Sequence, residues 1–403
     1  MKLHHLALVA FALSSPVCLA DDWPNWRGPR HDGISLETNR SGKLGKIEWS
    51  TNVGVGFSTV SVVGDRLYTQ GHEGKSGSNE SIYCLDTETG KVVWSDSFEA
   101  KLVDYLHEGG PCATPTVHKD KVYAVAKDGP VTCYNARTGE RVWRVDLRDL
   151  GRMRVPEWGF TASPFILDDW VIIEADCTFA LEQATGKVVW QSRDYQPGYG
   201  SPVLMTHAGK RYLVTLKNDG LVILDATNGK TVAFEQWKTR FRTNSTTPIV
   251  VGSQIFLSTG YNRGCALFSF DGASIRKVYE TKTMSNHMNN SVLINGYLYG
   301  FDGNTHMRGA KDLVCIEWKT GKEHWRIDDF RIGSITAVGD TLIVLGESGE
   351  LATAKASPTG FNAIARKRVL NGRCWTVPVL ANGRIYCRNA KGDLVCVDAV
   401  SSN

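Results

Sequence analysis

Hydrophobic and polar positions alternate in short runs along most of the chain, and turn-forming residues separate the runs. The stretch SPVLMTHAGKRYLVTLKNDGLVILDATNGK, residues 201–230, has apolar runs broken by Ala-Gly-Lys, Asn-Asp-Gly and Asn-Gly. Runs of this kind predict antiparallel strands joined by tight turns. Amphipathic helical periodicity is nearly absent, so the pattern predicts an all-β protein.

One eleven-residue motif recurs along the chain and defines the repeat length. CLDTETGKVVW (84–94) is followed by CYNARTGERVW (133–143), ALEQATGKVVW (180–190) and CIEWKTGKEHW (315–325). The turn glycine recurs roughly every 45 residues, with one double interval, which is typical of a repeat architecture. The aligned glycines are Gly90, Gly139, Gly186, Gly229 and Gly321.

Each repeat predicts four antiparallel strands, the first beginning near Ser/Thr-x-Pro or its equivalent and the fourth carrying the tryptophan. Four-stranded sheets repeated around an axis form a β-propeller. The last repeat ends at DLVCVDAVSSN, after its third strand, whereas KIEWSTNVG (46–54) resembles a displaced fourth strand. We therefore predict an eight-bladed β-propeller over residues 46–403, in which residues 46–53 complete the last blade. The eight repeats begin at Ser58, Thr114, Ser163, Ser201, Thr247, Ser291, Ser334 and Thr376.

We predict that the residues of the repeated motif have a structural role. An acidic or asparagine residue four positions before the glycine can accept hydrogen bonds from the turn, and glycine adopts positive φ without steric cost. The tryptophans of the fourth strands are expected to pack between neighbouring blades. These blade-docking residues are Trp49, Trp94, Trp143, Trp190 and Trp325.

The first twenty residues differ from the rest. Lys2, the apolar run LALVAFAL and the small residues Val17 and Ala20 predict a cleaved signal peptide, too short for a spanning helix. Cys18 raises lipid attachment as an alternative, but Val17 occupies a position where lipoprotein signals usually have a smaller residue. Residues 21–45 form an N-terminal extension, which either plugs the channel or lies outside the ring.

Composition narrows the class of protein. The 403 residues are 42% hydrophobic and 22% charged, which is ordinary for a globular protein. Removing Lys2 with the signal peptide lowers the formal charge from +4 to +3, and no basic run stands out. We expect no nucleic-acid partner and no transmembrane segment, and we predict a periplasmic or secreted bacterial protein that is a monomer.

The mature chain keeps nine cysteines, an odd number for an oxidising compartment. Cys84, Cys133, Cys315 and Cys396 occupy one repeat position and are expected to be buried free thiols. Cys387 and Cys396 flank the hairpin RNAKGDLV, which leaves a cross-strand disulfide as an alternative. No zinc or haem motif is present, and we predict no metal site and no catalytic residues.

The segments that enter the innermost strands are expected to ring the mouth of the channel, where convergent loops commonly bind ligands. Three arginines and two tryptophans there would suit a flat or anionic ligand. The alternative is that these side chains only pair with one another. Two insertions, GHEGKSGSNES and DGNTHMRGAKD, fall on the same face. The candidate ligand-binding residues are His107, Glu108, Trp158, Tyr199, Arg242, Asn244, His287, Asn289, Arg331, Arg373 and Trp375.

The repeat Asp-x-x-Thr-Gly-Lys-x-x-Trp resembles the tryptophan-docking repeat of the pyrroloquinoline quinone (PQQ)-like propeller superfamily, over essentially all of the mature chain. DWPNWRGPRHDGIS (22–35) is similar to the start of planctomycete-type members, and the chain length is similar to that of BamB-like proteins. The resemblance implies either a non-catalytic scaffold that binds protein partners or a dehydrogenase that holds PQQ and calcium. The chain has no adjacent cysteines, which the alcohol-oxidising group carries, and no residue matches that group's calcium ligands.

Two functions from different classes follow. The first is an exported non-catalytic scaffold with a protein partner on the loop-rich rim and no cofactor, acting in cell-envelope or outer-membrane protein assembly. The alternative is a divergent PQQ- and calcium-dependent dehydrogenase of alcohols or sugars. A channel-mouth site for another small anion or for a glycan is a third reading.

Overall fold

The computed structural model describes residues 21–151 and 153–401, which form eight four-stranded blades around a central channel. The eight-bladed all-β propeller predicted from the repeats is confirmed. Helical structure in the described residues is limited to two 3-10 turns, Gly74–Ser76 and Leu147–Leu150. The predicted signal peptide, with Cys18, lies outside these residues.

Within each blade the strands pair antiparallel in chain order, from the channel outwards. Two strands precede the first blade: β1 (Ile34–Ser35) and β2 (Arg40–Asn52). Blades 1 to 4 contain β3 (Ser61–Val63), β4 (Arg66–His72), β5 (Asn79–Asp86), β6 (Val92–Glu99); β7 (Thr116–His118), β8 (Lys121–Val125), β9 (Pro130–Asn135), β10 (Arg141–Asp146); β11 (Phe165–Leu167), β12 (Trp170–Glu174), β13 (Thr178–Glu182), β14 (Val188–Gln191); and β15 (Val203–His207), β16 (Lys210–Leu216), β17 (Gly220–Asp225), β18 (Thr231–Gln236).

The second half of the ring repeats this arrangement. Blades 5 to 8 contain β19 (Ile249–Val251), β20 (Gln254–Thr259), β21 (Gly264–Phe270), β22 (Ile275–Thr281); β23 (Val292–Ile294), β24 (Tyr297–Gly303), β25 (Lys311–Glu317), β26 (Glu323–Ile327); β27 (Ser334–Val338), β28 (Thr341–Leu345), β29 (Glu350–Lys355), β30 (Ala363–Arg368); and β31 (Val379–Ala381), β32 (Arg384–Arg388), β33 (Asp393–Ser401).

The ring closes through the N-terminal strand, as predicted. Strand β2 pairs antiparallel with β33 as the fourth strand of blade 8, and Trp49 lies opposite Cys396. The pairing begins at Arg40, earlier than the predicted residue 46, because the end of β33 extends to Ser401 and offers a partner. Arg388 joins blade 8 to blade 1, the last and first blades of the ring. Its buried guanidinium donates to the carbonyls of Ser58 and Gln70 in blade 1, both at 2.6 Å.

Neighbouring blades are joined by the repeated tryptophans. The indole nitrogen of Trp94 donates to the carbonyl of Ala136 in the next blade at 2.9 Å. In blade 5, Tyr279 takes the place of tryptophan, and its hydroxyl donates to the carbonyl of Trp318 at 2.9 Å. The indole of Trp190 packs in the same way without such a bond. Equivalent donations run from Trp49 to Thr87, from Trp143 to Gln183 and from Trp325 to Ser357.

Two features require glycine in the turn: the positive φ of its backbone and the close approach of the tryptophan ring of the preceding blade. Gly139 has φ +75°, and a Cβ there would lie 2.6 Å from the Trp94 ring. A contact below 3 Å forces the indole or the turn to move. The repeated glycine and tryptophan are therefore two halves of one contact between blades.

Replacing Gly139 with alanine is expected to destabilise the fold by more than the same change at Gly209. Both glycines have φ +75°, but a Cβ at Gly209 meets no atom within 4 Å. The left-handed conformation costs both variants about 1–2 kcal/mol, and steric overlap adds about 1–3 kcal/mol at Gly139 alone. Urea unfolding of the two variants measures the difference; equal losses would show that the close contact with Trp94 is relieved without cost.

Residues 22–35 of the N-terminal extension lie in the channel, which settles the placement that the sequence left open, whereas Arg40 and the residues after it belong to β2 on the outside of blade 8. Trp23 bridges Val62 of β3, and β1 pairs in parallel with β27 as a fifth strand. The innermost strands begin at the mouth, and Val62 and the β1 partners in β27 lie further along them, towards the other end of the channel. Residues 22–35 therefore close the channel at the end opposite the mouth. Further contacts join Pro24 to Val117, Trp26 to Thr247, Arg27 to Ser291 and His31 to Phe165.

The nine cysteines of the described residues are all unbonded. Cys387 lies opposite Val395 in the β32–β33 pairing, and Cys396 lies opposite Tyr386. Because successive residues of a strand point to opposite faces, this register places the two thiols in different cores. The alternative of a Cys387–Cys396 disulfide is therefore wrong.

Candidate functional site

The mouth of the channel contains a cavity of about 170 Å³. The loops that enter the innermost strands form its walls. Trp26 of the N-terminal extension lies on its inner side, and the indole nitrogen donates to the Thr247 hydroxyl at 3.0 Å. Two groups of side chains face each other across this space.

Aromatic rings form the wall on the side of blades 8, 1 and 2. Phe57 stacks on Trp375, with ring centroids 5.3 Å apart and an angle of 22° between the planes. His107 packs against Trp158 at 4.5 Å and meets Phe57 edge-on at 5.1 Å. Nδ1 of His107 accepts a hydrogen bond from the Gly109 amide at 3.1 Å, so the neutral ring carries its proton on Nε2.

Imidazoles and phenols form the opposite wall. Nε2 of His287 lies 3.0 Å from the Tyr261 hydroxyl, and the His287 and His306 rings are 5.3 Å apart. Tyr261 has φ +59°, a left-handed conformation that is rare for a bulky residue. Such strain persists where the surroundings hold the residue in place, and it is common at ligand sites. Here Tyr261 is held by His287 and by Phe241, whose ring lies 4.8 Å away.

The cavity carries no formal charge at neutral pH. Within the described residues its lining contains no Asp, Glu, Lys or Arg. Burial lowers the pKa of His107 to about 4, assisted by Arg373, and lowers that of His287 to about 3, assisted by His306. Burial also lowers the pKa of His306 and raises that of the Cys112 thiol to about 11. The imidazoles are therefore neutral, and the thiol is protonated.

Six of the candidate residues line this cavity, and five do not. Glu108 and Arg373 pair with each other at 2.6 Å, and Arg331 pairs with Glu347 at 2.8 Å. Arg242 is exposed, whereas Asn244 is buried and donates to the carbonyls of Lys217 and Trp237. Two of the three arginines thus hold carboxylates on the rim. The six lining residues are His107, Trp158, Tyr199, His287, Asn289 and Trp375.

Several lining residues were absent from the sequence-based set. Thr305 and His306 come from the insertion DGNTHMRGAKD, so the insertion itself was the usable signal. Tyr261 lies in the β20–β21 hairpin, and Trp26 in the extension, where the repeat pattern makes no prediction. The remaining wall includes Phe57, Leu106, Cys112, Thr161, Ser163, Ser201, Thr243, Ser245, Thr247, Met288 and Thr376.

Hydroxyl groups of the repeat starts tie the innermost strands together around the channel. The Ser163 hydroxyl accepts from the Thr114 amide at 2.9 Å, and the Ser201 hydroxyl accepts from the Ser163 amide at 2.9 Å. The Ser/Thr of Ser/Thr-x-Pro therefore joins one blade to the next. In the described part of the chain, no group of three or more His, Cys, Asp or Glu side chains is placed to hold a metal ion.

Comparison with known proteins places this geometry in a family. The model of the family described as outer membrane protein assembly factor BamB matches residues 36–158 and 152–327. A quinohemoprotein alcohol dehydrogenase, ADH-IIG of Pseudomonas putida, is 26% identical over 37% of the chain and 21% of its own length. The uncharacterized protein RC0314 of Rickettsia conorii is 20% identical over 72% of the chain. The chain spans 57% of the Rickettsia protein.

Solved structures share the fold at low identity. BamB from Moraxella catarrhalis superposes with a TM-score of 0.64 at 18% identity, over 88% of this chain and all of that one. The quinohemoprotein alcohol dehydrogenase from Comamonas testosteroni has a TM-score of 0.65 at 14% identity, over 94% of this chain and 80% of its own. With the family model matched over most of the described repeats, the chain belongs to the BamB family of PQQ-like β-propellers.

Proposed function

We propose that the protein is an exported, non-catalytic scaffold of cell-envelope assembly, including outer-membrane protein assembly, and that it binds a protein partner through the channel-mouth face. Membership of the BamB family supports an assembly role. Among the described residues, no helix has the length and apolar character needed to cross a membrane. The predicted signal peptide is the basis for proposing export to the periplasm.

The observation that carries the proposal is a crown of exposed apolar side chains around the cavity. Tyr105, Leu106, Phe241 and Met307 are 60%, 46%, 51% and 37% exposed. They come from three loops: Tyr105 and Leu106 share one, and Phe241 and Met307 lie in two others. Leu106 lines the cavity itself, and Tyr105 stacks on the lining residue Trp158 at 5.0 Å. Exposed apolar side chains gathered in one region of a protein surface are typical of protein-binding surfaces.

The alternative, a PQQ- and calcium-dependent dehydrogenase, does not fit the residues of the cavity. PQQ carries three carboxylates on fused rings, and an anion of that kind requires arginine or lysine partners. Calcium requires several oxygen ligands, normally including carboxylates. The described lining contains neither kind of charged side chain. We therefore propose that the cavity takes no PQQ and no calcium.

Site-specific photo-crosslinking tests the partner surface. Benzoylphenylalanine replaces Tyr105 or Phe241 in turn, and it replaces Phe234 as a matched control. Phe234 is 41% exposed on the outermost strand of blade 4, away from the mouth. We expect adducts to one envelope-assembly protein from positions 105 and 241, identified by mass spectrometry in the native host, and none from position 234. Equal adducts at all three positions, or none at the mouth, would contradict the proposal.

Titration with PQQ and calcium tests the alternative separately. We expect no change in the absorbance of PQQ and no shift of the unfolding temperature of the purified protein. Tight stoichiometric binding, lost in the Arg242→Ala and Arg373→Ala variants, would overturn the scaffold proposal in favour of the dehydrogenase.

A further inference from the structure

Charge is distributed unevenly around the mouth face. Four consecutive connections on this face, residues 237–248, 260–263, 282–291 and 304–310, contain basic residues and no aspartate or glutamate. The mouth-face connections of blades 1 to 3, by contrast, contain both signs of charge. We call the four connections of blades 4 to 6 the basic sector. Its cations are Lys238, Arg240, Arg242, Arg263, Lys282 and Arg308.

Contacts with Tyr261 join two of these connections into one surface. The Phe241 ring meets Tyr261 edge-on, with centroids 4.8 Å apart, and the His306 ring lies 6.0 Å from the same phenol. Phe241 lies between two arginines in the chain, and a third arginine follows His306 by two positions. The loops therefore gather three exposed guanidinium groups on one side of the mouth, those of Arg240, Arg242 and Arg308.

These three arginines have no carboxylate partner. Their guanidinium groups make no ion pair and no hydrogen bond within the described residues, and neighbouring like charges repel one another. Guanidinium groups bind carboxylates through two parallel hydrogen bonds, so a partner that supplies carboxylates removes the repulsion. Four arginines elsewhere on the mouth face already have such partners, in the pairs Arg148–Asp146, Arg154–Asp176, Arg331–Glu347 and Arg373–Glu108.

Apolar side chains are interleaved with the unpaired arginines. Phe241 is 51% exposed between Arg240 and Arg242, and Met307 is 37% exposed beside Arg308. A ligand that is only an anion would leave both apolar groups in water. A polypeptide segment in which acidic and apolar residues alternate would cover the apolar groups and pair the arginines at the same time.

The other three cations of the basic sector are already engaged. Arg263 pairs with Glu280 at 2.5 Å, and Lys282 donates to the carbonyl of Arg263 at 3.1 Å. Lys238 lies 3.9 Å from Asp219. Clusters that bind anionic bilayers usually present about four to eight basic residues to the lipid. With three unpaired cations in the described residues, the sector favours a protein over a membrane surface.

We propose that the basic sector binds an acidic segment of the protein partner, in which aspartate or glutamate alternates with apolar residues. This inference rests on the proposed function, because the segment belongs to the partner that binds the mouth face. Its carboxylates pair with Arg240, Arg242 and Arg308, and its apolar residues contact Phe241 and Met307. Pairing on blades 4 to 6 alone fixes the orientation of the partner on the ring and makes association dependent on ionic strength.

Fluorescence anisotropy with labelled peptides tests the surface on the purified mature protein. The first peptide alternates glutamate with leucine and phenylalanine, the second has lysine for glutamate, and the third has serine for the apolar residues. We expect the first to bind with a Kd of about 10 μM, at least tenfold more tightly than the others, and to bind more weakly at high salt. No binding of the first peptide, equal binding of the third, or binding of phosphatidylglycerol vesicles instead would overturn the proposal.

Charge-reversal variants locate the bound peptide. The combined change Arg240→Glu, Arg242→Glu and Arg308→Glu should weaken binding at least tenfold, and the milder Arg→Gln version of the same three changes should weaken it in the same direction. A control with the same change in net charge reverses three exposed lysines in the turns at the opposite end of the blades, Lys91→Glu, Lys187→Glu and Lys230→Glu. It should bind normally. Circular dichroism shows that each variant is folded, and equal affinity in the arginine and lysine variants would contradict the proposal.

Crosslinking in the native host separates this inference from the proposed function. Benzoylphenylalanine at position 105, outside the basic sector, captures the partner independently of the arginines. We expect its adducts to be lost in the arginine variant and kept in the lysine variant. Adducts that persist in both variants would overturn the acidic contact and leave the proposed function standing. If the protein without charge reversals gives no adducts, both the proposed function and this inference are wrong.

Discussion

Trp23→Ala is expected to lower the free energy of unfolding by about 3–5 kcal/mol, the usual cost of truncating a fully buried tryptophan. The side chain is 0% exposed and packs in the core between blades 8 and 1, beside Val62 and Val379. Its backbone exchanges two hydrogen bonds of 2.8 Å with Val62. The variant therefore opens a cavity at the seam where the ring closes. Urea unfolding followed by far-ultraviolet circular dichroism measures the loss.

Trp23→Phe is the matched control for this prediction. The indole nitrogen of Trp23 is buried and has no hydrogen-bond partner, so phenylalanine removes an unpaired polar group while keeping most of the volume. We expect it to cost less than about 1.5 kcal/mol. Trp158→Ala, at the half-buried mouth, should also have a small effect. If Trp23→Ala proves no more destabilising than Trp158→Ala, the extension contributes little to closure of the ring.

Lys217→Met is expected to destabilise the protein by about 3–5 kcal/mol at neutral pH, because it leaves the Glu174 carboxylate buried without its cation. The two side chains are 1% and 5% exposed, and Nζ lies 2.5 Å from Oε2. Nζ also donates to the carbonyl of Ala175 at 2.8 Å, and the Thr178 hydroxyl donates to Glu174. The pair joins blade 3 to blade 4.

The pH dependence of this loss identifies its cause. Burial raises the pKa of Glu174 even with Lys217 present, and removing the cation raises that pKa further. A carboxyl with a raised pKa in the folded state favours folding less as pH rises above its ordinary value. The cost of Lys217→Met should thus be large at pH 7 and shrink as pH approaches about 4, where the carboxyl is protonated in both states. A loss that does not change with pH would contradict this account.

Two further variants separate burial from charge pairing. The double variant Lys217→Met with Glu174→Met should recover most of the stability, since apolar residues of similar volume replace buried ion pairs at little cost. Lys355→Ala breaks an ion pair with Asp340 that has the same 2.5 Å separation but side chains 60% and 56% exposed. That change should cost less than about 1 kcal/mol, because solvent screens the exposed pair.

The repeats made the fold predictable to an unusual degree of detail. The tryptophan and glycine exemplified by Trp94 and Gly139 recur at a fixed spacing because most blades make the same contact with the next blade. The last repeat has only three strands of its own, and residues 46–53 have the pattern of a fourth strand without a repeat. Together these two features indicated how the ring closes. Strand pairing depends on the alternation of hydrophobic and polar residues and on the residue types in the turns, and both can be read from the amino-acid sequence.

The mouth was predictable as a region and less so as a set of side chains. Strand parity placed His107, Trp158 and His287 at one end of the channel, where they line the cavity. Whether a rim arginine faces the cavity depends on its pairing: Arg373 turns to Glu108, which lies 265 positions away in the sequence. Such distant pairings leave no periodic signal, so the prediction of an anion-binding mouth rested on residue types alone.

The amino-acid sequence by itself determined the number of blades, the strand that closes them and the contacts that join them, because these follow from short-range patterns repeated around a ring. Only the tertiary structure decided that residues 22–35 fill the channel, that Cys387 and Cys396 lie on opposite faces of their sheet, and that the cavity is uncharged. Each of these depends on which distant side chains meet and how deeply they are buried. Burial and long-range pairing are properties of the assembled ring.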